Sequence, residues 1–176
     1  MPSIQRLLVA NRGEIALRIM RSAREMGITV IAVYSEADRE SPHVQFADEA
    51  YLLGPPPSNQ SYLLGEKIIN LCLDNQIDAI HPGYGFLSEN AAFARKVEEA
   101  GITFVGPSGD SMDLMGDKLS AKQAVKDFGV PLVPGLDHAI EDVAEAKRVA
   151  LEIGFPVLVK ASAGGGGKGM RLVESA

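Results

Sequence analysis

The chain has 176 residues, a formal net charge of −6 and a hydrophobic content of 46%, which predicts a globular protein with one domain and part of a second. Its basic residues form no long runs, which argues against a nucleic-acid partner held through phosphate neutralisation. Because the amino terminus lacks a signal-peptide pattern and no apolar run reaches the length of a membrane span, we expect a cytoplasmic protein with no membrane partner. The single cysteine, Cys72, lies in an apolar run and is predicted to be a buried structural thiol.

Apolar strands and amphipathic helices alternate over the first part of the chain. Strands are predicted at residues 4–10, 29–34, 50–53, 77–81 and 102–105. Helices are predicted at residues 13–26, 62–75 and 88–100, with Ser88 as the cap of the last one. Continuous apolar strands that alternate with helices indicate a parallel sheet covered on both faces. The fold class is therefore α/β, with a Rossmann-like doubly wound domain.

The turn after the first strand, Asn11-Arg12-Gly13, does not have the composition of a dinucleotide site. Such a site needs three glycines where the first helix opens, and this turn has one. Glu36 and Asp38 follow the second strand, where a ribose ligand would stand, but without the glycines they are predicted to be surface loop charges. The sequence therefore predicts no NAD site.

The pattern changes after Gly106. Helices are predicted at residues 108–115, 117–128 and 141–153, and a strand is predicted at 157–160. These elements are too few to bury a core by themselves. We therefore interpret this region as part of a second domain.

A run of glycines, Gly164–Gly167, lies between Lys160 and Lys168. A P-loop would need Lys and then Ser or Thr after Gly169, and Met170 and Arg171 stand there instead. The dinucleotide pattern G-x-G-x-x-G must open a helix, whereas residues 170–173 alternate like a strand. We favour a hairpin loop between antiparallel strands that closes over nucleotide phosphates, and a flexible glycine linker is the alternative.

The segment from His81 to Asn90 follows a predicted strand end, which is where open α/β sheets bind ligands. Its glycines allow close backbone approach, and Tyr84 offers a flat face with a polar tip. A structural turn explains the same residues equally well. His81 alone is predicted to be a hydrogen-bonded structural imidazole rather than a catalyst.

Two groups of basic residues have both a structural and a functional interpretation. Arg18, Arg21 and Arg24 recur three apart on the first predicted helix, which indicates a solvated, ion-paired face or a subunit contact. Lys118 stands at a predicted helix start, which disfavours a cation unless an anion binds nearby. Otherwise it is a solvated surface lysine.

Several segments now identify a family, because they occur together and in order at residues 10–16, 47–49, 81–90, 115–118 and 164–170. They closely resemble the N-terminal part of biotin carboxylase, the ATP-grasp component of biotin-dependent carboxylases, over essentially the whole chain. The decapeptide from His81 is specific to that family, whereas similar glycine loops occur in other ATP-grasp ligases. The resemblance implies that ATP, bicarbonate and carrier-bound biotin give ADP, phosphate and carboxybiotin through carboxyphosphate.

The resemblance also implies roles for individual residues. The ATP-binding residues would be Lys118, Lys160, Gly165, Gly166, Gly167 and Met170. The biotin pocket would be bordered by Tyr84 and Gly85, and the dimer contact would be formed by Arg18, Arg21 and Glu25. The family's catalytic residues and Mg²⁺ ligands are expected beyond Ala176, so no catalytic residue or metal ligand is assigned here. The isolated chain is accordingly expected to be inactive.

The resemblance implies a division into a preATP-grasp domain over residues 1–113, a helical connector over 114–134 and the first part of an ATP-grasp lid over 135–176. The implied partners are a biotin carboxyl carrier protein, a carboxyltransferase component and a second copy in a homodimer. Another ATP-grasp ligase and a non-catalytic binding or assembly module remain as alternatives. The sequence leaves the final acceptor open, whether an acyl-CoA such as acetyl-CoA in fatty acid biosynthesis or pyruvate.

Overall fold

The computed structural model describes residues 4–116, 121, 124–125, 130–131, 138, 140, 142–160 and 170–175. The chain divides into two compact units, Met1–Met112 and Asp113–Ala176, which we call the N-terminal unit and the C-terminal unit. Among the described residues, every buried hydrophobic side chain except Val149 belongs to the N-terminal unit. The hydrophobic core therefore lies there.

The N-terminal unit is built on a five-stranded sheet in which neighbouring strands run parallel. The strands are β1 (Arg6–Val9), β2 (Thr29–Ser35), β3 (Glu49–Gly54), β4 (Ala79–His81) and β5 (Thr103–Phe104). Their order across the sheet is β3-β2-β1-β4-β5. The chain moves outward from β1 through β2 and β3, and then returns to the other side of β1 as β4. This reversal is the topological switch point, where open α/β sheets place ligands.

Helices cover both faces of this sheet. They are α1 (Gly13–Glu25), α2 (Pro42–Phe46), α3 (Gly65–Asp74) and α4 (Ala91–Glu99), and α5 (Gly109–Gly116) follows the last strand. On β1, Leu7 and Val9 pack with side chains of α1, whereas Leu8 packs with side chains of α3 and α4. Successive side chains of β1 thus point to opposite faces of the sheet and contribute to two hydrophobic cores. The predicted parallel sheet with two covered faces is confirmed. Cys72 is fully buried in the α3–α4 core, as predicted, and burial raises the pKa of its thiol to about 12.

Two predicted helix starts are wrong. The helix placed at Ser88 begins at Ala91, because the Asn90 side chain accepts a hydrogen bond from the Phe93 N–H at 2.9 Å and caps it. The helix placed at Tyr62 begins at Gly65. Tyr62 instead lies in the core, 1% exposed. Tyr62 is therefore a core residue that precedes its helix, and Ser88 lies in the turn before the helix that Asn90 caps.

The short helix α2 was not predicted from the sequence. Pro42 stands at its first turn, where the missing N–H costs nothing. Its His43 is fully buried. At five residues the helix is too short for a periodic pattern to reveal it.

Beyond the end of α5, the described elements of the C-terminal unit are one helix and two antiparallel strands. Helix α6 (Val143–Ile153) is capped by Asp142, whose carboxylate accepts from the Glu145 N–H at 2.8 Å. Strands β6 (Val157–Val159) and β7 (Arg171–Val173) pair antiparallel. The predicted strands on either side of the glycine run are therefore confirmed, and the run itself lies outside the described residues. No helix in the described ranges is long and apolar enough to cross a membrane.

Candidate functional site

An open cleft with a volume of about 360 Å³ lies at the carboxyl ends of β1 and β4. It is lined by Asn11, Arg12, Gly13, Ile15, Tyr84, Gly85 and Phe86. These residues belong to the turn after β1, the first turn of α1 and the loop after β4. The cleft therefore lies at the topological switch point, and we take it as the candidate functional site.

Asn11 joins the two loops that form the cleft. It is nearly fully buried, and its Nδ2 donates to the carbonyl oxygens of Pro82 and Tyr84, each at 2.8 Å. Its Oδ1 accepts from the Arg12 N–H at 2.9 Å. One side-chain amide thus satisfies two carbonyls of one loop and an N–H of the other. Asn11 sets the separation of the two walls.

The loop after β4 contains three residues with positive φ: Gly83 at 66°, Gly85 at 67° and Phe86 at 42°. A Cβ on Gly83 would lie 2.7 Å from Asn11 Nδ2, so glycine is required for the contact between the loops. At Gly85 a Cβ would meet nothing within 4 Å, which leaves open space beside this backbone. A bulky residue with positive φ is strained, and such strain persists only where the surroundings hold it. Phe86 must therefore be held by its neighbours.

Phe86 is held by an aromatic ring and a cation. Its ring stacks on that of Tyr62, with centroids 5.0 Å apart and an interplanar angle of 9°. The guanidinium carbon of Arg12 lies 5.8 Å from the Tyr62 centroid and 5.9 Å from the Phe86 centroid. Both distances allow cation–π attraction. The Arg12 side chain remains 51% exposed at the cleft.

Asp38 links this aromatic pair to the end of β2. Its Oδ2 accepts from the hydroxyls of Tyr62 and Ser35, each at 2.7 Å, and Arg12 Nη1 lies 3.4 Å away. Burial alone would raise the pKa of Asp38, but these hydrogen bonds and the Arg12 charge hold it below its ordinary value. Burial and the hydrogen bond to Asp38 raise the pKa of the Tyr62 hydroxyl. At neutral pH the pair is therefore a carboxylate and a neutral phenol.

The prediction that Asp38 is a surface loop charge is wrong, because its side chain is only 16% exposed. The hydroxyl donors that make its burial possible come from Ser35 and from Tyr62, 24 residues further along the chain. Glu36, predicted together with it, is exposed as expected. No local sequence pattern indicates the hydrogen-bond network around Asp38.

Two histidines support the loops through backbone contacts. His43 Nδ1 accepts from the Gly13 N–H at 3.3 Å, and His81 Nδ1 accepts from the Gly83 N–H at 3.0 Å. Burial lowers the pKa of both imidazoles. For His43 the Val33 carbonyl and the Asp38 charge oppose this effect, while the Arg12 charge adds to it. The predicted structural role of His81 agrees with its contact to Gly83.

The residues predicted to border a biotin pocket, Tyr84 and Gly85, both line the cleft. Tyr84 is 63% exposed, and its hydroxyl lies 3.4 Å from Glu14 Oε2. The Asn11 amide holds the Tyr84 carbonyl. Their contact with biotin stays a prediction.

The residues predicted to bind ATP belong to the C-terminal unit. Lys160 follows β6 directly and Met170 precedes β7 directly, and both are exposed. Because Val159 pairs with Arg171, Lys160 and Met170 leave the hairpin at the same end. Outside the described residues lie Lys118, Gly165, Gly166 and Gly167.

The face of α1 predicted to be a dimer contact, formed by Arg18, Arg21 and Glu25, is exposed. Arg24 differs from the other arginines of this helix. Its guanidinium donates to Asp48 Oδ1 at 2.7 Å and lies 4.0 Å from the Phe46 centroid. Arg24 therefore serves packing within the unit, while the other three residues remain available at the surface.

Sequence reasoning missed the parts of the cleft that depend on contacts between distant segments. Asn11, Arg12 and Phe86 line it, but none was proposed as a site residue from the sequence. Asn11 contacts Pro82, 71 residues away. The usable signal was the position of both segments after neighbouring parallel strands, which brings them to one edge of the sheet.

Metal ligation has no basis in the part of the chain that the structure describes. Among those residues, no group of three His, Cys, Asp or Glu side chains is arranged to hold an ion.

Comparison with protein families gives two matches. Residues 3–112 match the family described as biotin carboxylase, N-terminal domain, and residues 117–176 match the carbamoyl-phosphate synthase L chain, ATP binding domain. Biotin carboxylase 1 of Bacillus subtilis is 55% identical over 98% of this chain and 38% of its own length. The 2-oxoglutarate carboxylase small subunit of Hydrogenobacter thermophilus is 54% identical over 97% of this chain and 36% of its own.

Solved structures of similar proteins agree. The biotin carboxylase of Campylobacter jejuni, in a complex with β-γ-ATP, has a TM-score of 0.92 and 48% identity over 98% of this chain and 39% of that one. The biotin carboxylase domain dimer of the Hydrogenobacter thermophilus 2-oxoglutarate carboxylase, with MgADP, ADP and bicarbonate, has a TM-score of 0.91 and 52% identity over 99% of this chain and 38% of that one.

The fold and the cleft define a doubly wound α/β domain with a candidate ligand site at its switch point. The family match over residues 3–112 covers more than half of the chain. The chain therefore belongs to the biotin carboxylase family. It spans well under half the length of the curated relatives described above.

Proposed function

We propose that this chain is the N-terminal portion of a biotin carboxylase, which uses ATP and bicarbonate to carboxylate biotin on a carrier protein through carboxyphosphate. The observation that carries the proposal is the cleft at the switch point. Its walls belong to residues 10–16 and 81–90, two of the segments that carry the resemblance to the family, and the buried Asn11 amide joins them. A site built from two distant family segments is more informative than either segment alone.

The biotin ring lies against Tyr84 and Gly85 in this proposal. Biotin carries a flat ureido ring, which suits the exposed face of Tyr84. The open space beside Gly85 lets a ligand approach the backbone closely. Asn11 holds the Tyr84 carbonyl, so this wall is organised before biotin binds.

ATP binds through the C-terminal unit in this proposal. Lys118 and Lys160 contact the phosphates, Gly165, Gly166 and Gly167 close over them, and Met170 lies near the adenine. The match of residues 117–176 to an ATP binding domain supports this assignment. Closure of such a loop would exclude water and protect carboxyphosphate from hydrolysis. Mg²⁺ would accompany ATP to neutralise phosphate charge, with no ligand assigned among the described residues.

The wider setting follows from the same proposal. Partners are a biotin carboxyl carrier protein, a carboxyltransferase component and a second copy bound through Arg18, Arg21 and Glu25. The three-part division at residues 1–113, 114–134 and 135–176 is retained. A cytoplasmic acetyl-CoA carboxylase of fatty acid biosynthesis is the setting we propose, although the relatives include a 2-oxoglutarate carboxylase and a propionyl-CoA carboxylase.

The test uses the full-length protein that contains this chain. ADP release is measured with biotin and bicarbonate present, and with each omitted in turn. We expect release to depend on both. ADP release that is independent of biotin but stimulated by another carboxylic acid would replace the proposal with a different ATP-grasp ligase.

A matched pair of lysine variants tests the ATP assignment in the same assay. We expect Lys160→Met to raise the KM for ATP about tenfold or more, because a charge-assisted contact to phosphate is lost. Lys147, exposed on α6, is the control, and Lys147→Met should leave that KM unchanged. Equal KM values for the two variants would remove Lys160 from the site.

A further inference from the structure

We propose that Arg12 is a biotin-binding residue of the cleft, and that Asp38 and Tyr62 are positioning residues that hold its guanidinium there. The inference rests on the proposed function and adds the chemistry by which biotin is held. Arg12 meets an oxygen acceptor of biotin, which is either the ureido carbonyl or the oxygen at the end of its side chain, a carboxylate in free biotin and an amide carbonyl in biotin on its carrier. Both are acceptors for the guanidinium N–H groups.

Arg12 is the one charged side chain among the described residues that line the cleft. It is half exposed, so a ligand in the cleft can reach it. A guanidinium carries five N–H donors. Within the described part of the chain, its side-chain hydrogen bonds go only from Nη1 to Asp38, at 3.4 and 3.5 Å. The remaining donors are available to a bound molecule.

The guanidinium is held in place although it is exposed. The rings of Tyr62 and Phe86 lie on one side of it, at almost equal distances. Asp38 attracts it from the end of β2. Contacts of different kinds from separate segments restrict a side chain that would otherwise have many rotamers, and so reduce the entropy lost on binding.

Asp38 and Tyr62 are themselves fixed. The Asp38 carboxylate accepts two hydroxyl hydrogen bonds at 2.7 Å, and the Tyr62 hydroxyl also accepts from the Ser35 N–H at 3.0 Å. Tyr62 is nearly fully buried. The strained backbone of Phe86 is stabilised by the same ring. This rigid support behind a single exposed guanidinium is typical of a binding residue and is more than a solvated surface arginine needs.

The experiment measures the KM and kcat for biotin in the full-length protein, for the wild type and three variants. Arg12→Met removes the charge, and Arg12→Lys keeps it without the planar fork. Arg39→Met is the control, because Arg39 also lies over an aromatic ring, that of Tyr34, but is outside the cleft lining. We expect Arg12→Met to raise the KM for biotin about tenfold or more with a smaller effect on kcat, because binding is lost. The KM for ATP should not change.

Biotin methyl ester separates the two possible acceptors, since it retains the ureido carbonyl and lacks the carboxylate. If Arg12→Met raises the KM for biotin and for its ester alike, the acceptor is the ureido carbonyl. If it raises only the KM for biotin, the acceptor is the carboxylate. Unchanged KM values for both compounds, with an active wild type, would overturn the role of Arg12 and leave the proposed function intact. A wild type without biotin-dependent ADP release would overturn both.

Tyr62→Phe tests the positioning role, because it removes the hydroxyl that binds Asp38 and keeps the ring that stacks on Phe86. We expect a rise of about threefold in the KM for biotin, smaller than that of Arg12→Met, because the support weakens and the donor remains. In the double variant the two effects should not multiply, since without Arg12 there is nothing to position. Independent, multiplying effects would show that Tyr62 acts on biotin binding by a route other than Arg12, which would overturn the positioning role.

Discussion

Apolar strand residues are buried in the N-terminal unit and much more exposed to solvent in the C-terminal unit. Leu8 on β1 is completely buried, whereas Leu172 on β7 is 63% exposed. The first belongs to a sheet covered on both faces, and the second to a two-stranded hairpin. An isolated hairpin of this kind is marginally stable in water. The proposed biotin cleft is therefore supported by a packed hydrophobic core. The predicted ATP-binding loop instead lies between two strands that bury little apolar surface by themselves.

This difference suits the two proposed tasks. A biotin site needs fixed walls. The buried Asn11 amide holds the two loops of the cleft together, and the Asp38–Tyr62 pair supports Arg12 and Phe86 from behind. A loop that closes over nucleotide needs strands that can shift without disturbing the core. The comparison thus predicts that damage to one unit should leave the other largely intact.

The largest expected effect comes from a matched pair of leucine substitutions. Leu8→Ala should lower the free energy of unfolding of the N-terminal unit by about 2–5 kcal/mol, because it leaves a cavity in a packed core. Leu172→Ala should leave that value unchanged. Urea unfolding followed by tyrosine fluorescence separates the two, because all four tyrosines, Tyr34, Tyr51, Tyr62 and Tyr84, lie in the N-terminal unit and the chain has no tryptophan. Equal shifts for both variants would mean that the units unfold together.

A smaller effect is expected from Asn11→Asp, which keeps the shape of the side chain and replaces its donor by an acceptor. The carbonyls of Pro82 and Tyr84 would lose their partner and face a carboxylate. We expect a loss of about 1–3 kcal/mol in the same fluorescence experiment, the cost of buried groups left unsatisfied. Asn75 is the control, since it lies at the end of α3, where its Nδ2 donates to the Leu71 carbonyl at a partly exposed position. A similar loss for Asn75→Asp would argue against a special role for the Asn11 amide.

The smallest effect is a pH dependence confined to the N-terminal unit. Burial lowers the pKa of His43 in the folded chain below its ordinary value of 6.5. The unfolded state therefore binds a proton first as pH falls below about 6.5, and stability decreases from there towards the folded pKa. His43→Gln should reduce this slope, with the remainder due in part to His81. His138→Gln, at a half-exposed histidine of the C-terminal unit, should not change it. An unaltered slope in His43→Gln would contradict the account.

Much of the fold could be predicted because its signals are local. The apolar strands of the parallel sheet, such as β1 and β2, are continuous runs whose alternate residues face different helices. The antiparallel strands around the glycine run were predicted from an apolar run before it and an alternating pattern after it. Cap residues were harder, because Ser88 and Asn90 both have suitable side chains and only the structure shows which one accepts the Phe93 N–H.

The cleft could be located from sequence only in outline. The segment after β4 was identified, yet its partner Asn11 lies 71 residues from Pro82, and no periodic pattern connects them. Asp38 was misjudged because its donors, Ser35 and Tyr62, come together only in the folded chain. Buried polar networks of this kind depend on contacts between residues that are distant in sequence, and local propensities carry no information about such contacts.

The most direct test of the account is a crystal structure of the full-length protein with ADP, bicarbonate and biotin. We expect the biotin ring to lie in the cleft against Tyr84 and Gly85, with one of its oxygen atoms within hydrogen-bonding distance of the Arg12 guanidinium. Biotin bound outside the cleft, with Arg12 in contact only with Asp38, Tyr62 and Phe86, would contradict it.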